Sequence, residues 1–461
     1  MKNQIQTLLA KSLSGLEKQG LIPAQQTKVI KIENTRDPAH GDFASNIAMV
    51  LAKHAKTNPR ELAQKIIESI PESKIIDKTE IAGPGFINFF LKSNAYQSII
   101  PQIFNQGDQF VHSNICANKK VLLEFVSANP TGPLHIGHGR GAAYGAAVAS
   151  LLRKAGYDVC CEYYINDAGR QMDILAVSIW LRYLQYEDKN IPFLKNAYQG
   201  KYISDIANAL QNENKSKFIT SSESLLPLFE DDTELKDELE REITGLRDSS
   251  EEEITAVKKK FEVKIAEVKI DSLINYCKDE LGQKNYEAIL NAGLDSILKT
   301  IKDDLKGFGV EFNNWFSERS LVNSDTVNQC LQKLKENDWV YEKDGAQWFR
   351  SSQLGDEKDR VLIRENGQAT YFASDVAYHL SKIERGFDKL VDIWGADHHG
   401  YIARVKASMQ ALKLSPEKLE ILLVQFATLY RGKEKLQMST RSGKFITLKE
   451  LQDEVGKDAA R

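Results

Sequence analysis

Cysteine is scarce and irregularly placed in this chain: five occur in 461 residues, Cys116, Cys160, Cys161, Cys277 and Cys330. The number is odd and no C-x-x-C spacing occurs, which argues against a disulfide framework and against a four-cysteine zinc site. Long apolar runs are also missing. No stretch approaches the ~20 residues that a membrane span needs. The first residues, MKNQIQTLLAKSLSGLEKQG, form an amphipathic helical pattern in place of the apolar core of a signal peptide. A cytoplasmic, reducing location is therefore expected, with no zinc and no membrane partner. Charge of one sign does not dominate either. A net charge of −3 neither supports nor excludes a nucleic-acid partner, because a basic patch can sit on a neutral protein. Internal repeats and low-complexity tracts are absent.

What is there has the composition of an ordinary globular protein, 42% hydrophobic and 27% charged. The chain is too long for one core, so two to three domains are expected. Residues 1–110 read as a small α/β unit. A first helix is followed by a short apolar run at Lys28–Ile32, a helix after Asp42, and a strand at Phe86–Leu91 launched by Gly83-Pro84-Gly85. The polar stretch around Gln106 to Lys120 reads as a linker.

The next segment changes character. Val121 to Val126 is a near-continuous apolar run, as expected of a buried parallel strand. A turn bearing Pro and Gly follows, then a helix from about Ile136 to Lys154. Gly139, Gly141, Ala142, Ala143, Gly145 and Ala146 would let that helix lie close on a sheet. A strand at Tyr157–Ile165 completes a βαβ unit. Similar alternation returns late, with a strand at Leu390–Trp394, a helix at Tyr401–Leu412 and a strand at Leu419–Phe426. The sheet thus reads as split by a long insertion. Within the insertion, residues 230–269 carry apolar residues at helical spacing (Leu235, Leu239, Ile243, Leu246; Ile254, Val257, Phe261, Ile265, Val268) around a Gly245–Ser250 break. The pattern predicts an antiparallel helical hairpin with charged outer faces, and its charge favours a solvated structural excursion over a functional arm.

The strongest chemical signal is Ser127-Ala128-Asn129-Pro130-Thr131-Gly132-Pro133-Leu134-His135-Ile136-Gly137-His138. It falls at a strand-to-helix turn, where open α/β sheets place their ligands. His135 and His138 share one helix face, and Gly137 leaves room for a flat base or a phosphate. Two imidazoles and a helix dipole aimed at one place suit a triphosphate whose charge shifts during attack. A pair of histidines capping a helix is the plainer alternative. A second strand-to-helix turn holds Gly395-Ala396-Asp397-His398-His399-Gly400, where Asp397 and His398 could equally serve as a helix cap and first turn. Glu124 lies within an otherwise apolar strand. A buried carboxylate needs a cation, supplied either by the protein or by a substrate. Tyr371 and Asp375 stand four apart and face one way if helical, with a core tyrosine and a surface acid as the dull reading.

His-x-Gly-His in this context is the signature of class I aminoacyl-tRNA synthetases, and its flanks resemble the arginyl-tRNA synthetases. The lead-in from Ser127 to Pro133 and the downstream Glu162-Tyr163-Tyr164-Ile165-Asn166-Asp167-Ala168-Gly169-Arg170-Gln171 carry the likeness. It extends from the N-terminus to residue 461, the helical hairpin excepted. The resemblance implies an α/β fold: a Rossmann-type parallel-sheet catalytic domain in two halves (118–180 and 361–430), an insertion at 181–360, and a small N-terminal tRNA-binding domain at 1–110. Residues 431–461 would hold a phosphate loop and the start of a helical anticodon-binding domain whose remainder is absent. That truncation predicts activation chemistry with impaired full aminoacylation.

The resemblance further implies a monomeric ligase that uses ATP with Mg2+, L-arginine and tRNA(Arg). Glu124, Asn129, Tyr371 and Asp375 would line the arginine pocket, with His398 near the substrate's backbone end. A planar guanidinium suits forked carboxylates and an aromatic neighbour. His135, Gly137, His138, Gly395, Asp397, Met438 and Ser439 would meet ATP. The loop Leu436–Lys444 departs from the usual Lys-Met-Ser-Lys-Ser, with Gln437 and Thr440 in place of the lysines. Lys433, Lys435, Arg441 and Lys444 are candidates for the pyrophosphate cation, Arg441 and Lys444 being placed with the catalytic residues. In the N-terminal unit, Gly41-Asp42-Phe43-Ala44-Ser45-Asn46 and Gly83–Asn88 match the family domain that grips the tRNA elbow. Phe86 and Asn88 would stack on and hydrogen-bond to unpaired bases, with Phe86 as a core residue the alternative. A cysteine-specific class I enzyme is disfavoured by the missing cysteine cluster. A non-catalytic tRNA-binding paralogue is disfavoured by the intact histidines.

Overall fold

The computed structural model describes residues 1–23, 30–230, 233–245, 250–425, 430–435 and 445–461. The chain forms two compact units, Met1–His112 and Ser113–Arg461.

In the first unit, helix α1 (Lys2–Lys18) buries Ile5, Leu9, Leu13 and Leu16, the stripe expected of a helix with one face on a core. Strands β1 (Glu33–Asn34) and β2 (Phe43–Ser45) precede helices α2 (Ile47–Ala55) and α3 (Pro59–Glu68). The Asn58 side chain caps α3 by accepting the Arg60 N–H at 2.9 Å, and Pro59 takes the first turn. Strands β3 (Ile76–Ala82) and β4 (Phe86–Leu91) complete an antiparallel sheet of order β1-β2-β4-β3, and α4 (Ile99–Gln106) ends the unit. Gly41 has φ 80, and a Cβ there would fall 2.6 Å from the Phe89 carbonyl oxygen. Asp42 accepts the Leu91 N–H at 2.8 Å. The Gly-Asp-Phe motif therefore locks β4 against the preceding loop.

The second unit is built on five parallel strands in the order β12-β11-β5-β6-β7. β5 (Lys120–Glu124) leads through a loop into α5 (Ile136–Lys154), which returns to β6 (Asp158–Ile165). Gly145 explains the small-residue helix: a Cβ on it would lie 2.2 Å from the buried Phe125 ring. α6 (Arg170–Leu184) is almost wholly buried, and α7 (Lys201–Asn214) packs on it.

The insertion holds an antiparallel pair, α8 (Thr233–Gly245) and the start of α9 (Glu251–Gly307), bridged by Lys264–Glu238 at 2.8 Å and Lys260–Glu242 at 3.9 Å. These exposed pairs add little stability. The second arm does not stop near residue 269. α9 runs on to Gly307 through a break at Gly282 (φ 64), and its C-terminal part enters the main core. The insertion also returns to the sheet as β7 (Asn314–Ser317), an edge strand that the sequence pattern missed.

A small antiparallel sheet follows, β8 (Val340–Lys343), β9 (Ala346–Phe349) and β10 (Arg360–Ile363). α10 (Tyr371–Glu384), β11 (Lys389–Gly395), α11 (Ile402–Ala411) and β12 (Leu419–Val424) then complete the split sheet, and α12 (Leu448–Val455) lies near the end of the chain. Strand order reverses between β5 and β11. Open α/β sheets bind ligands in the crevice beyond the strand C-termini at such a switch point.

Candidate active site

The crevice between β5 and β11 opens into a cavity of about 370 Å3 bordered by Glu124, Asn129, Tyr371, Asp375, Trp394 and His398. The chain leaves β5 through Val126 (φ 68) and Ser127 (φ 40), both left-handed. That conformation is costly for a β-branched residue and persists where the surroundings enforce it. Here Ser127 Oγ donates to Glu124 Oε1 at 2.9 Å and accepts the Tyr164 N–H at 3.1 Å. Tyr163 and Tyr202 hydroxyls donate to the Ala128 and Thr131 carbonyls at 3.0 and 2.5 Å. The loop is thus pinned from β6 and α7.

His135 then caps α5. Its backbone N–H donates to His138 Nδ1 at 3.2 Å, and the two rings stack at 3.7 Å. An accepting Nδ1 leaves Nε2 to carry the proton of a neutral imidazole. Burial pushes both histidines down, and for His138, at about 3, the neighbouring His135 adds to the effect. The pair therefore meets a ligand as neutral hydrogen-bonding groups, not as cations. Both border a second, polar cavity of about 350 Å3 with Asn129, Thr131, Gly132 and Gln171. Gly137 sits in the first turn of α5, and Asn129 faces both cavities.

The first cavity is acidic. Glu124 is buried, and its Oε2 lies 2.6 Å from Lys382 Nζ. Of the two sources of a cation left open for Glu124, the protein supplies one: a lysine on α10, 258 residues away. The same Nζ lies 2.8 Å from Asp392 Oδ1, and Asp392 Oδ2 lies 3.0 Å from His379 Nε2. Asp375 is different. The Tyr401 hydroxyl donates to it, and burial pushes its carboxyl above the usual carboxylate range. Three acids (Glu124, Asp375, Asp392) thus border one cavity, and Lys382 pairs with two of them. Tyr371 is 55% exposed at the start of α10, on the same cavity as Asp375.

The remaining expected residues fall as follows. Gly395 and His398 border the first cavity, and the His398 ring meets Trp394 edge-on at 6.4 Å. Asp397 is exposed beside His398. Met438, Ser439, Arg441 and Lys444 lie outside the described residues, as do Gln437 and Thr440. In the N-terminal unit Phe86 is 37% exposed at the start of β4, whereas Asn88 is 4% exposed. Phe86 is therefore no core residue, whereas Asn88 is buried. Lys382, Asp392, His379 and Tyr401 escaped the sequence reasoning. Asp392 carried the same signal as Glu124, an acid inside the apolar run Leu390-Val391-Asp392-Ile393.

Comparison with known proteins identifies the family. Residues 3–91 match the arginyl-tRNA synthetase N-terminal domain, and residues 99–304 and 297–461 match the class I (R) tRNA synthetase catalytic domain. An arginine–tRNA ligase of Hydrogenovibrio crunogenus is 52% identical across the whole chain, which spans 74% of that protein. One from Coxiella burnetii is 50% identical, again across the whole chain and 74% of the relative. The solved arginyl-tRNA synthetase of Thermus thermophilus shares the fold, with a TM-score of 0.58 at 18% identity over 98% of this chain and 69% of that one. On the two family matches and these identities, the chain belongs to the arginyl-tRNA synthetases.

Proposed function

We propose that this chain activates L-arginine with ATP to arginyl-AMP and transfers the arginyl group to tRNA(Arg), in the crevice between β5 and β11. The observation that carries the site assignment is the excess of carboxylates over cations in the first cavity, beside a polar second cavity at the N-terminus of α5. A planar guanidinium finds in Asp375 a carboxylate with no cation partner among the described residues and in Tyr371 an adjoining ring, both on the first turns of α10. Glu124, held by Lys382, faces the same space. Asn129 joins the two cavities, where the amino acid's carboxylate would meet the nucleotide, and His398 lies on the side of the substrate's backbone.

The first step needs no general base. The arginine carboxylate is already an anion. It attacks the α-phosphorus in line, one oxygen–phosphorus bond forms, and the bond to pyrophosphate breaks. Neutral His135 and His138, Gly137 and the α5 N-terminus supply hydrogen bonds and partial positive charge to the phosphates. Gly395 and Asp397 are assigned to the ribose and adenine. Met438, Ser439, Arg441 and Lys444 are assigned to the pyrophosphate side. Mg2+ would enter with the nucleotide and share the charge of its phosphates. In the second step a terminal ribose hydroxyl attacks the carbonyl carbon, the ester bond forms, the bond from that carbon to the phosphate oxygen breaks, AMP leaves with the bonding pair, and the hydroxyl proton passes to the departing phosphate.

The N-terminal unit is assigned to the tRNA elbow, with Phe86 offering a ring for an unpaired base. A monomer in the cytoplasm completes the proposal; no helix among the described residues is long and apolar enough to cross a membrane. The test is arginine-dependent ATP–pyrophosphate exchange, measured with and without tRNA(Arg). Exchange that requires arginine is expected, and a folded protein that shows none in either condition overturns the reading.

A further inference from the structure

Lys382 is fully buried, an unusual place for a lysine. Its ammonium lies 2.6 Å from Glu124 Oε2 and 2.8 Å from Asp392 Oδ1. The strand register explains the demand for it. Glu124 on β5 stands opposite Asp392 on β11, so two carboxylates are set side by side on neighbouring parallel strands. Like charges in that arrangement repel, and a buried carboxylate without a cation tends to take up a proton. Both residues border the first cavity, whereas Lys382 does not reach it. The lysine therefore acts from behind the cavity wall.

We propose that Lys382 is a positioning residue for the amino-acid substrate, cancelling one charge of the Glu124–Asp392 pair and fixing the Glu124 side chain as an acceptor beside Asp375. The proposal rests on the reading of this cavity as the arginine site. Ser127 Oγ, at 2.9 Å from Glu124 Oε1, completes the hold from the strained loop, so each carboxylate oxygen has one protein partner and retains accepting capacity toward the cavity. Lys382 leaves the cavity short of positive charge, which the bound substrate's guanidinium then supplies.

The test is calorimetric titration of L-arginine into the purified chain and three variants: Lys382→Met, Asp392→Asn, and the two combined. Lys382→Met is expected to weaken arginine binding at least tenfold or to fail to fold, because two facing carboxylates lose their shared cation. The double variant removes one of those charges. It is expected to fold and to recover to within about threefold of the Asp392→Asn variant. A lysine that merely filled space would show no such recovery, since the cavity left by its side chain persists in the double variant. A Lys382→Met protein that binds arginine like the parent overturns the proposal. So does a double variant that fails to fold or binds no better than Lys382→Met. A parent chain that binds no arginine overturns instead the assignment of the cavity.

Discussion

Asp375→Asn separates the arginine-pocket reading from a merely structural one. The substitution keeps the side chain's shape and an oxygen able to accept from the Tyr401 hydroxyl, so the fold of α10 is expected to survive. It removes the one cavity carboxylate without a cation partner among the described residues. Truncating one side of a close, partly desolvated charge pair costs roughly 2–5 kcal/mol. Two features of the structure place this case at the lower end. Asp375 is half-buried, not sealed, and burial already pushes its carboxyl upward, so the free cavity is relieved of a charge it holds at a cost. A loss of about 2–3 kcal/mol follows, roughly 30- to 140-fold in the dissociation constant for arginine. A pH signature accompanies it. Because the folded carboxyl titrates above its ordinary value, falling pH neutralises it, and arginine binding by the parent is expected to weaken as the solution is acidified. The Asn variant should lose that slope. The assay is arginine titration by calorimetry, with the KM for arginine in pyrophosphate exchange as a second measure. An affinity within twofold of the parent, or an unchanged pH slope, refutes the assignment of Asp375 to the guanidinium.

Further outcomes follow from other positions. Glu318 is 4% exposed, its Oε2 has no hydrogen-bond partner among the described residues, and burial, then Asp375 and Asp167, push it up to about 7. A raised carboxyl contributes stability that is whole below the unfolded value near 4.5 and is lost as pH rises through about 7. Glu318→Gln should therefore flatten the fall in denaturant stability between pH 5 and pH 8, by roughly 3 kcal/mol; parallel profiles for parent and variant would count against it. Gly145→Ala places a Cβ 2.2 Å from the Phe125 ring, which has nowhere to move, so roughly 1–3 kcal/mol of stability should be lost. An unchanged urea midpoint would contradict the close approach of α5 to β5. Phe86→Ala should weaken tRNA binding by about 1–3 kcal/mol, the range for a base stacked on an aromatic ring, while leaving arginine binding by the other unit unaltered. Filter binding of tRNA(Arg) that does not change would remove Phe86 from the RNA surface.

Those predictions draw on features that differ in how far the sequence exposes them. The βαβ unit was legible because Val121–Val126 is continuously apolar and α5 repeats small residues, two patterns set by local packing. β7 was not, since Asn314–Ser317 is a four-residue edge strand with no alternation to read. α9 runs beyond its expected end because the break at Gly282 is a backbone event with helix on both sides. Long-range partners were the hardest. Glu124 stood out as an acid in an apolar strand, yet its lysine is 258 residues away and its opposing acid is defined by strand register.

That last failure bears on how the enzyme selects its substrate. A count of acids taken from the sequence would treat Glu124 and Asp375 as equal ligands for a basic amino acid. The structure makes them unequal: Lys382 pairs with Glu124, whereas Asp375 accepts from a tyrosine hydroxyl and burial pushes its carboxyl above the usual range. On the proposed assignment, selectivity for a cation comes from Asp375 and the geometry of its recognition from Glu124. A neutral side chain of similar length offers the Asp375 carboxyl no cation to offset the cost of its ionisation, and so forgoes that interaction.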